Sequence, residues 1–284
     1  VGPEDELFKY VQDIGTDKKD TIVFGFSRSD FARVAAKALS GSTDIGLSVG
    51  ASAPNLRDIN PNFYSVASPL ESQFIAINEA IKGSGCKASD TLAIFDQKSF
   101  LSEQFLKRFR EQGAGTIRFV DQLDDSAFDD LVPKSNCIFI SLNFSESQRY
   151  LGQVMKRSWS GHIFGTGDWN IYSAELIATL KQKTTAKFTV LVPTGWLTDS
   201  SSLSKNFSHR MRKKLGKDPS PISAYTYDAA ILALESACGR YDIAKGSPIS
   251  AKKPAVLRTY DGVSSGGNYL SKMQIRTFSP GAVK

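Results

Sequence analysis

The sequence predicts an α/β protein built on parallel sheets. Three observations carry that expectation. Short apolar runs such as Thr21–Phe24, Thr91–Phe95 and Cys137–Leu142 read as buried strands. Apolar residues at helical spacing follow each of them, as Phe31, Val34, Ala35 and Leu39 follow the first. The two patterns alternate through most of the chain, an order that lays strands parallel with helices over both faces.

Taken in order, Leu7, Val11 and Ile14 mark a first helix over Glu6–Ile14, ended by Gly15 and followed by a charged loop at 17–20. The strand Thr21–Phe24 runs into the turn Gly25-Phe26-Ser27-Arg28-Ser29 and a helix over Asp30–Leu39, for which Ser29 is the natural cap and Asp30 a favourable first-turn anion. A strand entering a Gly/Ser turn before a helix N-terminus offers free N–H groups to an anion. The stretch Gly46–Gln73 repeats this theme. A buried strand enters the turn Ser48-Val49-Gly50-Ala51-Ser52, then come Pro54-Asn55-Leu56, a short strand Phe63–Val66 and a helix from Ser68-Pro69 to about Gly83. Small residues at 50 to 52 leave room for a ligand against the backbone, and the two hydroxyls and free amides of such a turn suit a carboxylate.

Further strands are expected at Thr91–Phe95, Thr116–Val120, Cys137–Leu142, His162–Gly165, Phe188–Val192 and Met273–Phe278. Helices are expected at Leu101–Gly113, Ala127–Leu131, Glu146–Arg157, Tyr172–Lys181, Ser202–Leu215 and Ala224–Ala237, with a short one at Pro254–Tyr260.

Length and composition bound what this chain does. Its 284 residues suit one large or two medium domains, and a hydrophobic content of 41% is ordinary for a globular protein. No apolar run approaches the ~20 residues that span a bilayer. The start, Val1-Gly2-Pro3-Glu4-Asp5, is polar and carries no signal-peptide pattern, which says little about the compartment. The net charge of +6 is spread out apart from one run, Arg210–Lys217, which reads as a solvated helix face rather than a nucleic-acid contact because no recognition motif accompanies it. Cys86, Cys137 and Cys238 form no C-x-x-C pair, so no zinc or redox site is expected. Three free thiols are the expectation, with Cys86–Cys137 the pair to join if one disulfide forms. Enzyme readings find little support: two histidines, no G-x-S-x-G elbow, no Walker A or G-x-G-x-x-G loop, and an acidic cluster at 124–130 without calcium-loop spacing. No cofactor and no metal are expected.

Several landmarks together resemble the type I periplasmic solute-binding proteins of the leucine/isoleucine/valine kind. They are Gly25–Ser29, the turn at 48–52 with Pro54-Asn55-Leu56, Thr91–Asp96 followed by Ser99-Phe100, Phe164–Trp169, Ala224–Ala230 and Tyr260–Gly266. Val49, Ser52 and Leu70 stand where that family usually has proline, threonine and aspartate. The family's first strand-helix-strand has no counterpart here, and the chain starts after it.

The resemblance implies a two-lobed fold, each lobe a parallel sheet flanked by helices. Lobe 1 would hold 1–88 and 194–266, lobe 2 would hold 89–193 and 267–284, with crossings near Ala88, Pro193–Gly195 and Gly266-Gly267. It implies a noncatalytic binding protein of a branched-chain amino acid type ABC transporter or receptor, closing by a hinge on an amino acid or similar polar solute. By position, Ser29, Gly50, Ala51 and Ser52 would hold the ligand in lobe 1. Phe100 would cover it from lobe 2, Asp168 would pair with its ammonium, and Trp169 would line the rim or simply pack. Ser29 as a plain helix cap is the competing reading. The implied partners are the solute and a membrane permease or fused signalling domain, without nucleic acid. The implied location is periplasmic or extracytoplasmic, with a lipid anchor or a receptor ectodomain as variants. A regulatory module of the same fold that binds a protein and no solute is the alternative.

Overall fold

The computed structural model describes residues 3–15, 21–87, 91–111, 117–119, 121, 123–248, 257–258 and 260–280. The chain divides into two compact units. It leaves the first at Ser72/Gln73, returns at Thr194/Gly195 and leaves again at Met273/Gln274. Ala88, the first crossing expected above, lies outside the described residues, as do the loop at 17–20 and most of the helix expected at Pro254–Tyr260.

The first unit is built on β1 (Ile22–Gly25), β2 (Ile45–Ser48) and β3 (Phe63–Ser65), parallel and in that order, with Gly25 level with Ser48 and Ser48 level with Ser65. Its helices are α1 (Pro3–Gly15), α2 (Ser29–Ala38), the short α3 (Leu56–Ile59), α9 (Ser202–Leu215) and α10 (Pro221–Ala237). The helix α4 (Leu70–Gly83) starts in this unit and continues into the second. The core joins Leu47, Val49 and Val66 to Ala229 and Leu232 of α10 and to Tyr64, Tyr241 and Tyr269. Gly46 is required on β2 because the Phe63 ring lies where its Cβ would stand.

The second unit is a six-stranded sheet in the order β11 (Gln274–Phe278), β8 (Lys187–Thr194), β7 (Ser160–Gly165), β6 (Cys137–Ser141), β4 (Thr91–Phe95), β5 (Ile117–Phe119). Alternation along β4 sorts the two faces. Leu92 and Ile94 join Ile138, Ile140 and Val190 in one hydrophobic cluster. Phe95 turns to the other face, where it meets Phe109 and Phe139 with ring centroids 6.0 and 5.8 Å apart. The flanking helices include α5 (Phe100–Glu111), α6 (Asp125–Leu131), α7 (Phe144–Met155) and α8 (Ser173–Leu180).

Four expectations are corrected. The sheet of the second unit is not wholly parallel, because β11 runs antiparallel to β8 along its edge. A two-residue antiparallel pair, β9 (Tyr241–Asp242) and β10 (Ser247–Pro248), occupies a stretch where no element was expected. Cys86 and Cys137 are joined in a disulfide with Cα atoms 6.2 Å apart, and only Cys238 is a free thiol among the three. Parallel pairing of β4 with β6 puts Cys137 level with Thr91, close to the end of the segment that Cys86 begins, which is what lets residues 51 apart in sequence meet. Finally, Ser29 is the first residue of α2 and not its cap: Arg28 holds the cap position and makes no side-chain capping bond.

Candidate functional site

The lobe 1 candidates sit on two neighbouring turns at the carboxyl ends of β1 and β2. Parallel pairing brings them side by side, and the Val49 amide donates to Gly25 O at 2.6 Å. The first turn is tight enough to hold Phe26 at a φ of +58°, a region that residues other than glycine seldom enter. Phe26 O accepts the Ser48 hydroxyl at 2.6 Å, so the two turns are also joined by a side chain.

That hydroxyl changes what the second turn offers. Ser48 Oγ also accepts the amide of Ala51 at 2.9 Å and, more weakly, that of Gly50 at 3.4 Å. Ala51 O is taken by Ser65 Oγ at 2.6 Å and by Asn268 Nδ2 at 3.2 Å. Ala51 itself is fully buried. Gly50 leaves no open room either: a Cβ there would stand 2.5 Å from Ser27 O and 2.9 Å from Ile222 Cδ1. The expectation that the amides at 50 and 51 are free for a carboxylate is therefore corrected. Its physical reason is that the glycine admits the protein's own backbone and Ser48 caps the turn.

The two outer hydroxyls are different. Among the described residues, neither Ser29 Oγ nor Ser52 Oγ has a hydrogen-bond partner. Ser29 is half-buried and Ser52 is buried. Close by, the N-terminus of α2 already has an anion. Asp30 Oδ1 accepts the Phe31 amide at 2.9 Å, and Arg28 reaches both Asp30 oxygens. Burial works to raise the Asp30 carboxyl, but the bonds from Arg28 and Phe31 outweigh it and hold the group below its ordinary value.

In the second unit, Phe100 opens α5 after β4 and is half-buried. Asp168 lies on a 3₁₀ turn, Gly167–Asn170, after β7 and accepts the amide of Phe144 at 3.3 Å, at the start of α7. That bond uses the carboxylate to satisfy a helix N-terminus, a role the sequence reading did not contain. Trp169 takes the packing alternative. It is fully buried, its indole N–H donates to Leu142 O at 3.0 Å, and its ring lies against Phe144 and the bare face of Gly165.

Sequence reasoning missed a polar cluster inside the first unit. Asp228 on α10 accepts the Leu257 amide at 2.6 Å, Arg258 Nε at 3.2 Å and Tyr260 OH at 2.8 Å. Arg258 also donates to Val66 O at 2.5 Å and lies over the Tyr225 ring, 4.1 Å from its centroid. Burial pushes the Asp228 carboxyl up, and the Arg258 charge only partly offsets it. The Tyr-Asp-Ala segment and the Tyr260 turn were both noted as landmarks, but nothing in either one points to the other.

An open groove of about 430 Å³ in the first unit is lined by Leu203, Phe207, Arg210, Tyr227 and Leu257, and no candidate residue borders it. Among the described residues, no group of three or more His, Cys, Asp or Glu is placed to hold a metal ion, and no helix is long and apolar enough to cross a membrane.

No family model and no curated protein matches this sequence. Solved structures do match its fold. The substrate-binding protein LivJ of the branched-chain amino acid transporter from Streptococcus pneumoniae, in complex with isoleucine, superposes with a TM-score of 0.77 at 16% identity, covering 100% of this chain and 83% of the other. The leucine-binding protein LivK from Thermotoga maritima gives 0.74 at 16% identity with the same coverages, 100% and 83%. An ABC transporter solute-binding protein from Rhodopseudomonas palustris, in complex with 3,4-dihydroxybenzoic acid, gives 0.73 at 17% identity over 96% of this chain and 78% of the other. The two α/β units, their crossings and these superpositions give one conclusion: the chain has the type I periplasmic-binding-protein fold.

Proposed function

We propose that the protein is a noncatalytic solute-binding protein of the ABC transporter or receptor type, taking an amino acid or a similarly sized organic acid. The observation that carries this reading is the pair of hydroxyls, Ser29 and Ser52, left without partners on adjacent turns at the carboxyl ends of β1 and β2. Ligands of open α/β sheets gather outside the carboxyl ends of the strands. The likeness in fold to proteins solved with isoleucine and with an aromatic acid supports the ligand class. Phe100 and Asp168, also beyond the carboxyl ends of their strands, are the proposed contributions of the second unit, which a hinge motion at the three crossings would bring to the ligand. The Cys86–Cys137 disulfide supports an oxidising, extracytoplasmic location. A permease or a fused signalling domain is the proposed partner.

Calorimetric titration against a panel of amino acids and aromatic carboxylates tests this. Saturable heat that Ser52→Ala weakens supports it, and no heat across the panel counts against it.

A second reading, a regulatory module of the same fold that binds a protein and no solute, is favoured by one observation. Ser48 and the Ser27 backbone fill the turn at 50 and 51 from within. A small molecule recovered from the purified protein, in proportion to the chain, would argue against it.

A further inference from the structure

Arg258 is 6% exposed, and its Nη1 has no hydrogen-bond partner among the described residues. Its other nitrogens are committed, Nε to Asp228 and Nη2 to Val66 O and Tyr260 OH. A buried guanidinium N–H pair without an acceptor is rare in a folded protein and asks for a ligand or a water. Its surroundings are polar. A Cβ on Gly195 would stand 3.0 Å from Arg258 Nη1, 3.2 Å from Ser68 Oγ and 3.2 Å from Tyr225 OH. Three hydrogen-bonding groups thus ring the point where a side chain on Gly195 would stand. Tyr225 OH accepts the Gly195 amide at 3.1 Å and keeps its own proton to donate. Ser68 Oγ lies 2.6 Å from Ser271 Oγ, which can take or give the shared proton.

The charge of the cluster points the same way. Burial works to lower Arg258, but its interactions with Tyr260, Tyr225 and Asp228 outweigh that and hold the guanidinium above its ordinary value. Asp228 is shared with the Leu257 amide and Tyr260, which leaves the outer edge of the cation facing that point without a carboxylate of its own. The location is also suitable. Val66 and Ser68 follow β3 at the same carboxyl edge as the Ser52 turn, and Gly195 is the first residue after the chain re-enters the unit.

We propose that Arg258 Nη1, Ser68 Oγ and Tyr225 OH form an anion subsite over Gly195 that receives one oxygen of a carboxylate. This rests on the solute-binding reading and deepens it: the amides at 50 and 51 are consumed, and the carboxylate is received by a guanidinium instead. The ligand class is then an organic acid, and its neutral amide is discriminated against because an amide presents a weaker acceptor to a buried cation.

Gly195→Ala is the testing variant. Gly195 does not have a positive φ, so alanine fits the backbone, while its methyl presses on Arg258 Nη1, Ser68 Oγ and Tyr225 OH and makes them yield by a few tenths of an ångström. Two measurements are made on the full chain, with folding checked by thermal melting. Leucine with leucinamide, and benzoate with benzamide, are titrated into wild type and Gly195→Ala. Crystals of both are grown in acetate. The proposal expects the acid to bind wild type at least tenfold more tightly than its amide, and Gly195→Ala to lose that preference. It also expects acetate density on Arg258 Nη1 in wild type only. Equal acid affinity in both proteins, or an ordered water in place of acetate, overturns the subsite and leaves solute binding standing. Acetate on Arg258 with no heat from either acid supports the subsite and removes those two acids as solutes.

Discussion

Arg258 and Asp228 form an ion pair inside the first unit, Nε to Oδ2 at 3.2 Å, with side chains 3% and 0% exposed. The pair ties the segment before β11 to the middle of α10 and, through Val66 O, to the end of β3. Removing one partner leaves the other charge buried and alone. Arg258→Met should therefore destabilise the protein by about 3–5 kcal/mol. Adding Asp228→Leu should recover a large part of that loss, because the second charge then no longer needs a partner. Urea unfolding of the two single variants and the double variant checks this. A double variant as unstable as the sum of the singles contradicts it.

The Ser48 hydroxyl closes the turn at 50 and 51, so Ser48→Ala should cost about 1–3 kcal/mol, the range for buried polar groups that lose their partner. Gly50→Ala should destabilise as well, because its Cβ meets backbone at Ser27 O rather than a movable side chain. Both effects should appear as faster amide exchange at 48–52 with little change in the second unit.

Reducing the Cys86–Cys137 bond frees a 51-residue separation in the unfolded chain. The chain-entropy argument gives about 4 kcal/mol for a loop of that length. In a Trp196→Phe background only Trp159 and Trp169 report, and both lie in the second unit. Their fluorescence should show the urea midpoint falling in Cys86→Ser/Cys137→Ser or under reductant.

Burial pushes the Tyr241 phenol up from 10.0 to about 12, and Tyr64, Tyr260 and Tyr269 move in the same direction for the same first reason. Below pH 10 both states hold the proton and the full stabilisation is present. Above it the unfolded chain ionises first, so the Tyr241 contribution drains away as pH rises and is gone by about 12. That loss is about 2–3 kcal/mol. Ultraviolet titration should show several tyrosines ionising only with unfolding, and Tyr241→Phe should flatten the alkaline decline.

Much of the fold was legible because its strands are continuous apolar runs bounded by turns. Thr91–Phe95 is observed as expected, and Ser202–Leu215 keeps both expected helix ends. What was not legible is pairing across distance. β9 and β10 have two residues each and no alternation to find. The direction of β11 depends on where the chain arrives after Met273, and its own residues do not set that. Cys86 meets Cys137, and Tyr260 meets Asp228, only after the sheet and α10 are in place. At the candidate turns the sequence offers two hydroxyls that suit a carboxylate, but it does not show that Ser48 is taken up inside the turn by Phe26 O and the Ala51 amide.

Calorimetry on the full chain with leucine, isoleucine, benzoate and 3,4-dihydroxybenzoate tests the central claim most directly. The account predicts saturable binding of at least one of them, weakened at least tenfold by Ser52→Ala with the melting temperature unchanged. Absence of binding by all four, or affinity indifferent to Ser52→Ala, would contradict it.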